Sequence, residues 1–171
     1  MNKISIKRKN LLDMYNLIMS LSNRGDVTIK AAYALTKNKN SLAGEHEAIT
    51  EAMKKIDTEK WNEFEKKRIE LCKDYCLKEE NGSPKIDIQS GQPMFVLDPE
   101  KKVEFDEKSK LIFDEYKETI DLHNTQSDDF EKVFLQEEIE IDVYKVKLSE
   151  LENLSGITMM QLESLLPVID E

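Results

Sequence analysis

Cys72 and Cys76 are the residues whose type and spacing best suit a metal ion, because cysteine thiolates are strong ligands for zinc. They lie four residues apart in a segment with helical periodicity, so both side chains face one side of the helix. A tetrahedral zinc site needs two further donors, yet His46 and His123 are distant in sequence from the cysteines and from each other. The pattern favours two reduced thiols over a metal site.

The sequence lacks the patterns that accompany hydrolysis and nucleotide binding. Its five glycines are too dispersed to form a phosphate-binding loop, and neither histidine lies beside a nucleophile motif. His46 stands between Glu45 and Glu47 on a predicted solvent-exposed helix face. His123 falls on an apolar stripe, where a histidine is commonly a hydrogen-bonded structural residue. We therefore expect a protein that is not an enzyme and has no cofactor.

Two acidic clusters near the C-terminus invite comparison with magnesium or calcium sites. One is the pair Asp128 and Asp129, and the other lies in residues 137–142. The second cluster alternates with apolar residues, so its carboxylates would line one side of a strand, and no glycine-centred loop could wrap an ion. The pattern predicts a charged strand face, which protects a sheet edge from aggregation, and no metal site.

Charge is unevenly distributed along the 171 residues, whose net charge is −10. Residues 1–44 hold eight lysines and arginines against two aspartates, a net charge of +6, so the remainder carries −16. An acidic surface disfavours direct binding to nucleic acid, since phosphate contacts need lysine and arginine. It suits a protein whose carboxylates occupy a basic surface that normally receives nucleic acid. Acidity that serves only solubility is the alternative.

Apolar residues at helical spacing predict two long helices that pack against each other. The first stripe recurs every seven residues, at Leu35, Leu42, Ile49 and Ile56. A second stripe of similar length runs over residues 105–134. Two matched stripes in one chain predict a long antiparallel helical hairpin over about residues 28–134, with a break near Asp57.

Turn formers and alternating residues predict small sheets at both ends of this hairpin. Turn signals at residues 81–84 and 90–93 flank an alternating segment, which predicts a β-hairpin over about residues 82–98. Residues 138–143 also alternate and have a mate in residues 4–6, which predicts a sheet that joins the chain ends, and a terminal strand and helix occupy about residues 138–168. The expected fold class is α+β, mostly helical, in a single domain over residues 1–171.

The sequence shows no signal for membrane insertion or for secretion. No segment approaches the roughly 18 uncharged apolar residues of a membrane span. Residues 1–9 lack the apolar run and the cleavage site of a signal peptide. We therefore expect a cytoplasmic protein without a membrane partner.

Five segments, taken in their order along the chain, carry a resemblance to known proteins. They are IKAAYALTKN at 29–38, EENGSP at 79–84, LQEEIEIDVYKVKLSELE at 135–152, IT at 157–158 and LESLLPVI at 162–169. This order resembles small uncharacterised proteins of tailed phages and prophages of Gram-positive bacteria. The resemblance implies a phage origin and residence in the host cytoplasm, and it brings no catalytic residues.

Two functional classes remain for such a chain. The first is a phage-encoded non-enzymatic binding protein, for example an inhibitor of a host nucleic-acid-handling or defence complex, acting through an acidic surface or the hairpin tip. The alternative is a virion structural or assembly protein or chaperone. We favour the first, because the apolar stripes are satisfied within one chain, as in a monomer or small oligomer. The expected partner is a host or phage protein complex, without direct nucleic-acid binding. The predicted partner-binding residues are Asp128, Asp129, Glu137, Glu138, Glu140 and Asp142, with Met94 and Phe95 as the rival apolar anchor.

Overall fold

The computed structural model describes residues 2–89, 92–151, 156 and 158–170, and more than half of them lie in six α-helices. The fold class is α+β and mostly helical, as predicted. The chain divides into two compact units. The terminal unit comprises residues 1–55 and 127–171, and the central unit comprises residues 56–126. The single domain over residues 1–171 stays a prediction, because two compact units can belong to one domain or to two.

Six helices and six strands alternate irregularly along the described residues. In chain order they are β1 (Asn2–Lys7), α1 (Arg8–Ser22), α2 (Ile29–Lys54), α3 (Glu59–Tyr75), β2 (Ile86–Gln89), β3 (Gln92–Phe95), α4 (Lys102–Glu115), α5 (Lys117–Lys132), β4 (Glu138–Val143), β5 (Val146–Lys147), α6 (Met159–Leu165) and β6 (Ile169–Asp170). None of the helices in this part of the chain is both long and apolar enough to cross a lipid bilayer.

Threonine caps set the starts of three helices. The Thr28 hydroxyl accepts a hydrogen bond from the Ala31 N–H at 3.2 Å and begins α2. Thr58 accepts one from the Trp61 N–H at 3.2 Å and begins α3, one residue after the break predicted near Asp57. Thr158 begins α6 in a capping box with Gln161.

The core of the terminal unit lies where α1, α2 and the β1–β4 sheet meet. β1 and β4 pair antiparallel, with Ile4 opposite Ile141 and Ile6 opposite Ile139, which is the pairing predicted for the two chain ends. Alternation places these isoleucines on one side of the sheet and the charged residues on the other. The buried core residues of the two helices include Leu11, Met14, Leu17, Ile18 and Leu21 of α1, and Ala31, Ala34, Leu35, Leu42 and Ile49 of α2.

The long helical hairpin predicted over residues 28–134 is not confirmed. The apolar stripe of α2 is covered by α1 and β4 in the terminal unit. Periodicity identified the buried face of α2 but not its partner, because α1 presents an apolar face of the same spacing. In the central unit α3 packs against α4, and the Phe64 ring contacts Phe113 edge-on at 5.4 Å and Tyr116 at 5.8 Å between centroids.

β2 and β3 form an antiparallel hairpin within the segment predicted for one, residues 82–98. Its base is fixed by the chain that follows α3. The Leu77 N–H donates to the Val96 carbonyl and the Lys85 N–H donates to the Leu77 carbonyl, each at 2.8 Å. Ser90 and Gly91, in the predicted turn, lie outside the described residues, as do residues 152–155 and 157 near the C-terminus.

Candidate partner-binding surfaces

The acidic face of β4 lies opposite the basic N-terminal strand. Three residues of β1 stand directly across from three acids of β4 on the solvent side of the sheet: Lys3 with Asp142, Ser5 with Glu140, and Lys7 with Glu138. The sheet therefore brings Glu138, Glu140 and Asp142 onto one face, as predicted from alternation. It also places two lysines among them, because the same alternation runs through β1.

Contacts between these side chains compensate much of the acidity. The Ser5 hydroxyl donates to Glu138 at 2.8 Å, and the Lys3 ammonium lies 3.8 Å from the Glu140 carboxylate. Glu137, just before β4, forms an ion pair with Arg8, whose guanidinium also covers the Phe134 ring. The carboxylates of this strand are thus arranged as a mixed-charge ladder and not as a run of unpaired negative charge.

Asp128 and Asp129 lie apart from this ladder, in the last turns of α5. Asp128 accepts a hydrogen bond from Lys132 at 2.7 Å, one turn along the helix, and this bond raises the pKa of the Lys132 ammonium. Asp129 is exposed, and its side chain has no hydrogen bond or ion pair within the described residues. Asp129 therefore retains an uncompensated charge, as does Asp142, whose carboxylate also has no hydrogen bond or ion pair within the described residues.

Met94 and Phe95 point to opposite sides of the β2–β3 hairpin, because neighbouring residues of a strand alternate. Phe95 pairs with Ile86, and Pro93 pairs with Ile88, so these four residues share one side. We call this side the tip face. Met94 pairs with Asp87 on the other side. The two residues predicted as one apolar anchor therefore belong to different surfaces.

The tip face is apolar and largely exposed. Ile88 is 74% exposed and Ile86 is 54% exposed, whereas Phe95 is half-buried. Met94 on the opposite side is exposed to a similar extent, at 51%, but its cross-strand neighbour is the charged Asp87. At these exposures no other element of the described residues covers this side of the hairpin, so the tip face remains available for contact.

Each of the two histidines stacks on an aromatic ring. The His123 ring stacks flat on Trp61, with centroids 3.5 Å apart, and its Nε2 lies 3.3 Å from Asp57. His46 stacks on Tyr15 at 4.1 Å, although the sequence predicted a solvated face for it.

Burial raises the pKa of the Cys72 thiol, which opposes formation of a metal-binding thiolate. No group of three or more metal-ligating side chains occurs within the described ranges.

One surface was missed by sequence reasoning. A groove of about 410 Å³ in the terminal unit is lined by Lys30 and Tyr33 of α2 and by Tyr144, Lys145 and Lys147 around β5. The spacing of Lys30, Tyr33 and nearby Lys37 on one side of α2 was a signal in the sequence. The contribution of Tyr144 was not, because it lies more than a hundred residues away along the chain.

Comparison with known proteins supplies no relative from which to transfer a role. No family model, curated protein or solved structure matches the chain. The resemblance to phage proteins therefore stays a prediction, and function has to be inferred from the surfaces described above.

Proposed function

We propose that this chain is a phage-encoded, non-enzymatic binding protein that recognises another protein through the tip face of the β2–β3 hairpin. The observation that supports the proposal is the exposure of Ile86 and Ile88 beside Phe95 on one side of the hairpin. Exposed apolar residues that adjoin one another are characteristic of interaction surfaces, whereas apolar residues scattered singly are ordinary.

The size of the apolar side chains suits a small interface centre. Burying one isoleucine or phenylalanine side chain completely contributes about 1.5–3 kcal/mol. Three such residues on one ribbon can form a cluster of the kind that dominates binding energy in protein interfaces. The tip is also held at its base by hydrogen bonds to residues 77 and 79, so its strands are ordered before a partner arrives.

The acidic surface ranks second as an interface. A carboxylate that imitates phosphate must be exposed and must lack a cation of its own chain. Glu137 and Glu140 each contact a cation of residues 3–8, and Glu138 accepts a hydrogen bond from the Ser5 hydroxyl. Occupying a basic partner surface would require these contacts to be exchanged, which reduces the net gain in binding energy.

The proposed partner is a host complex that handles nucleic acid or acts in defence. The net charge of −10 supports this class, because it speeds encounter with a basic surface even when the final contacts are apolar. In this arrangement the acidity steers the approach and the tip face forms the interface.

A capture experiment tests the proposal. Immobilised protein is incubated with nuclease-treated host lysate, and the captured proteins are compared with those held by Ile86→Asp and Met94→Asp. The two residues have nearly equal exposure and lie on opposite sides of the hairpin. We expect Ile86→Asp to lose the captured protein and Met94→Asp to retain it. Equal retention by both variants would contradict the proposal.

A virion structural or assembly protein is the second candidate. It is supported by the two-stranded sheets themselves, because the outer edge of each strand can pair with a strand of another copy. Light scattering on the purified protein separates the candidates. A monomer or small oligomer supports the binding protein, and a stable ring or larger assembly supports the assembly role.

A further inference from the structure

We propose that the basic groove of the terminal unit binds the phosphate and base of a nucleotide, as found in single-stranded nucleic acid. This groove lies on α2 and β5, away from the tip hairpin in sequence and in a different compact unit. The inference is therefore independent of the tip face, and it departs from the expectation, based on net charge, that the chain does not bind nucleic acid directly.

Three lysines of the groove region carry uncompensated charge. Lys30, Lys37 and Lys147 form no ion pair with any residue that the structure describes. Their charges are therefore available to an anionic ligand at this groove. Glu150 and Asp170 also line the groove, yet within the described residues neither is paired with these lysines.

Lys145 differs from these three lysines, because its ammonium links two segments of the chain beside the groove. Its ammonium donates to the carbonyls of Pro167 at 3.2 Å and Ile169 at 3.1 Å. These bonds join the segment between β4 and β5 to the C-terminal strand β6, which pairs with β5. The β5 side of the groove is therefore tied to the C-terminal segment.

Two tyrosine rings flank the Lys37 ammonium. Its Nζ lies 5.7 Å from the centre of the Tyr33 ring and 5.8 Å from that of Tyr144, within the range of a cation–π contact. The Tyr33 side chain is 63% exposed, so its ring is available to a ligand. The Lys37 ammonium can therefore contact an anionic group of a ligand, and the neighbouring rings can contact its planar groups.

Asn38 fixes the position of Tyr144. Its fully buried side chain accepts from the Tyr144 N–H at 2.7 Å and donates to the Tyr144 carbonyl at 2.8 Å. The carboxamide thus makes the two hydrogen bonds that a neighbouring strand would otherwise make to the residue after β4. Because Asn38 follows Lys37 in α2, the same turn of helix supplies the cation and anchors one of the aromatic residues.

Nucleotides match this combination better than acidic peptides do. Proteins that bind single strands without strong sequence preference combine lysines along the phosphate backbone with aromatic rings on which bases stack. An acidic peptide would use the ammonium groups but would leave the exposed Tyr33 ring without a planar partner. A double helix would present its bases stacked on one another and unavailable to Tyr33.

The test measures fluorescence anisotropy of a labelled oligothymidylate of about 12 nucleotides at several salt concentrations. Three phosphate contacts predict a slope of about −2 in a plot of log affinity against log salt. Lys30→Gln with Lys147→Gln should lower affinity roughly 10-fold at low salt and reduce the slope to about −0.7.

The matched control is Lys60→Gln with Lys66→Gln. These lysines are exposed on α3 and form no ion pair within the described residues, so the pair changes net charge equally but leaves the groove intact. We expect affinity to stay within about twofold of the unchanged protein. An equal loss in the control would reveal nonspecific attraction and would overturn the proposal.

Tyr33 tests the stacking contact separately from charge. Tyr33→Ala should weaken binding by about 5- to 100-fold, whereas Tyr33→Phe should bind as the unchanged protein does. Circular dichroism on each variant checks that the fold is retained, which the exposure of Tyr33 leads us to expect.

Competition identifies the source of the nucleotide. A nucleoside monophosphate that competes at similar concentration assigns the groove to free nucleotides, and competition by oligonucleotide alone assigns it to single strands. The proposal is overturned if no oligonucleotide binds at low salt, or if poly-L-glutamate competes as well as the oligonucleotide does.

Discussion

The β1–β4 pair and the β2–β3 hairpin are both two-stranded antiparallel ribbons with alternating apolar residues, yet they present opposite surfaces. In the first, Ile6 and Ile141 are buried against α1 and α2, and the charged side faces solvent. In the second, Ile86 and Ile88 are exposed. Alternation defines the two sides of a ribbon, but the neighbouring helices decide which side is available for binding.

The largest expected effect lies in the covered ribbon. Ile141→Ala should lower the free energy of unfolding by about 2–5 kcal/mol, because it removes buried methyl groups and leaves a cavity between the sheet and the helices. Urea denaturation followed by circular dichroism measures the change. A loss below about 1 kcal/mol would mean that this side of the sheet is not the core, and the contrast between the ribbons would fail.

Asn38 gives the covered ribbon a second support, through the backbone of the residue that follows β4. Asn38→Ala should cost about 2–3 kcal/mol, because it leaves the N–H and the carbonyl of Tyr144 without partners. Asn40→Ala, at an exposed position of the same helix, is the control and should change stability by less than about 0.5 kcal/mol. Equal effects of the two substitutions in urea denaturation would argue against this anchoring role.

Charge reversal on the covered ribbon should have a smaller effect. Glu138→Lys with Glu140→Lys breaks the contacts to Ser5 and Lys3 and places a new lysine opposite Lys7. These residues are exposed, so we expect a loss of only about 0.5–1 kcal/mol in thermal or urea unfolding.

The same double variant distinguishes the two candidate interfaces. Capture of the partner should remain within about twofold if the tip face is the interface. A loss of capture on charge reversal, with Ile86→Asp unaffected, would instead assign binding to the acidic surface.

The smallest expected effect on stability lies at the tip. Ile88→Ala should change the free energy of unfolding by less than about 0.5 kcal/mol, because the side chain contacts little beyond its own ribbon. The same substitution should weaken partner capture. A destabilisation comparable to that of Ile141→Ala would show that the hairpin folds back onto the protein, and the exposed surface would then be absent.

Local patterns predicted a good part of this fold. The pairing of β1 with β4 followed from alternation in residues 4–6 and 138–143, and the buried stripe of α2 followed from its seven-residue repeat. The partner of that stripe could not be predicted. The spacing of apolar residues identifies the buried face of a helix but does not identify the element that packs against it.

The candidate surfaces show the same limit. The alternation rule alone would have separated Met94 from Phe95, whereas joining Phe95 to Ile86 also needs the strand register. The ion pair between Arg8 and Glu137 joins residues more than a hundred positions apart in the chain. A count of charges along the sequence cannot predict such a pair. The meeting of Tyr33 with Tyr144 required the tertiary structure for the same reason.

Hydrogen–deuterium exchange of the protein, alone and in complex with the captured partner, tests the role of the tip face most directly. We expect new protection in residues 86–95 and unchanged exchange in residues 3–7 and 137–142, because the hairpin enters the interface and the charged ladder remains in solvent. Protection confined to residues 3–7 and 137–142, with the hairpin unchanged, would contradict the proposed function.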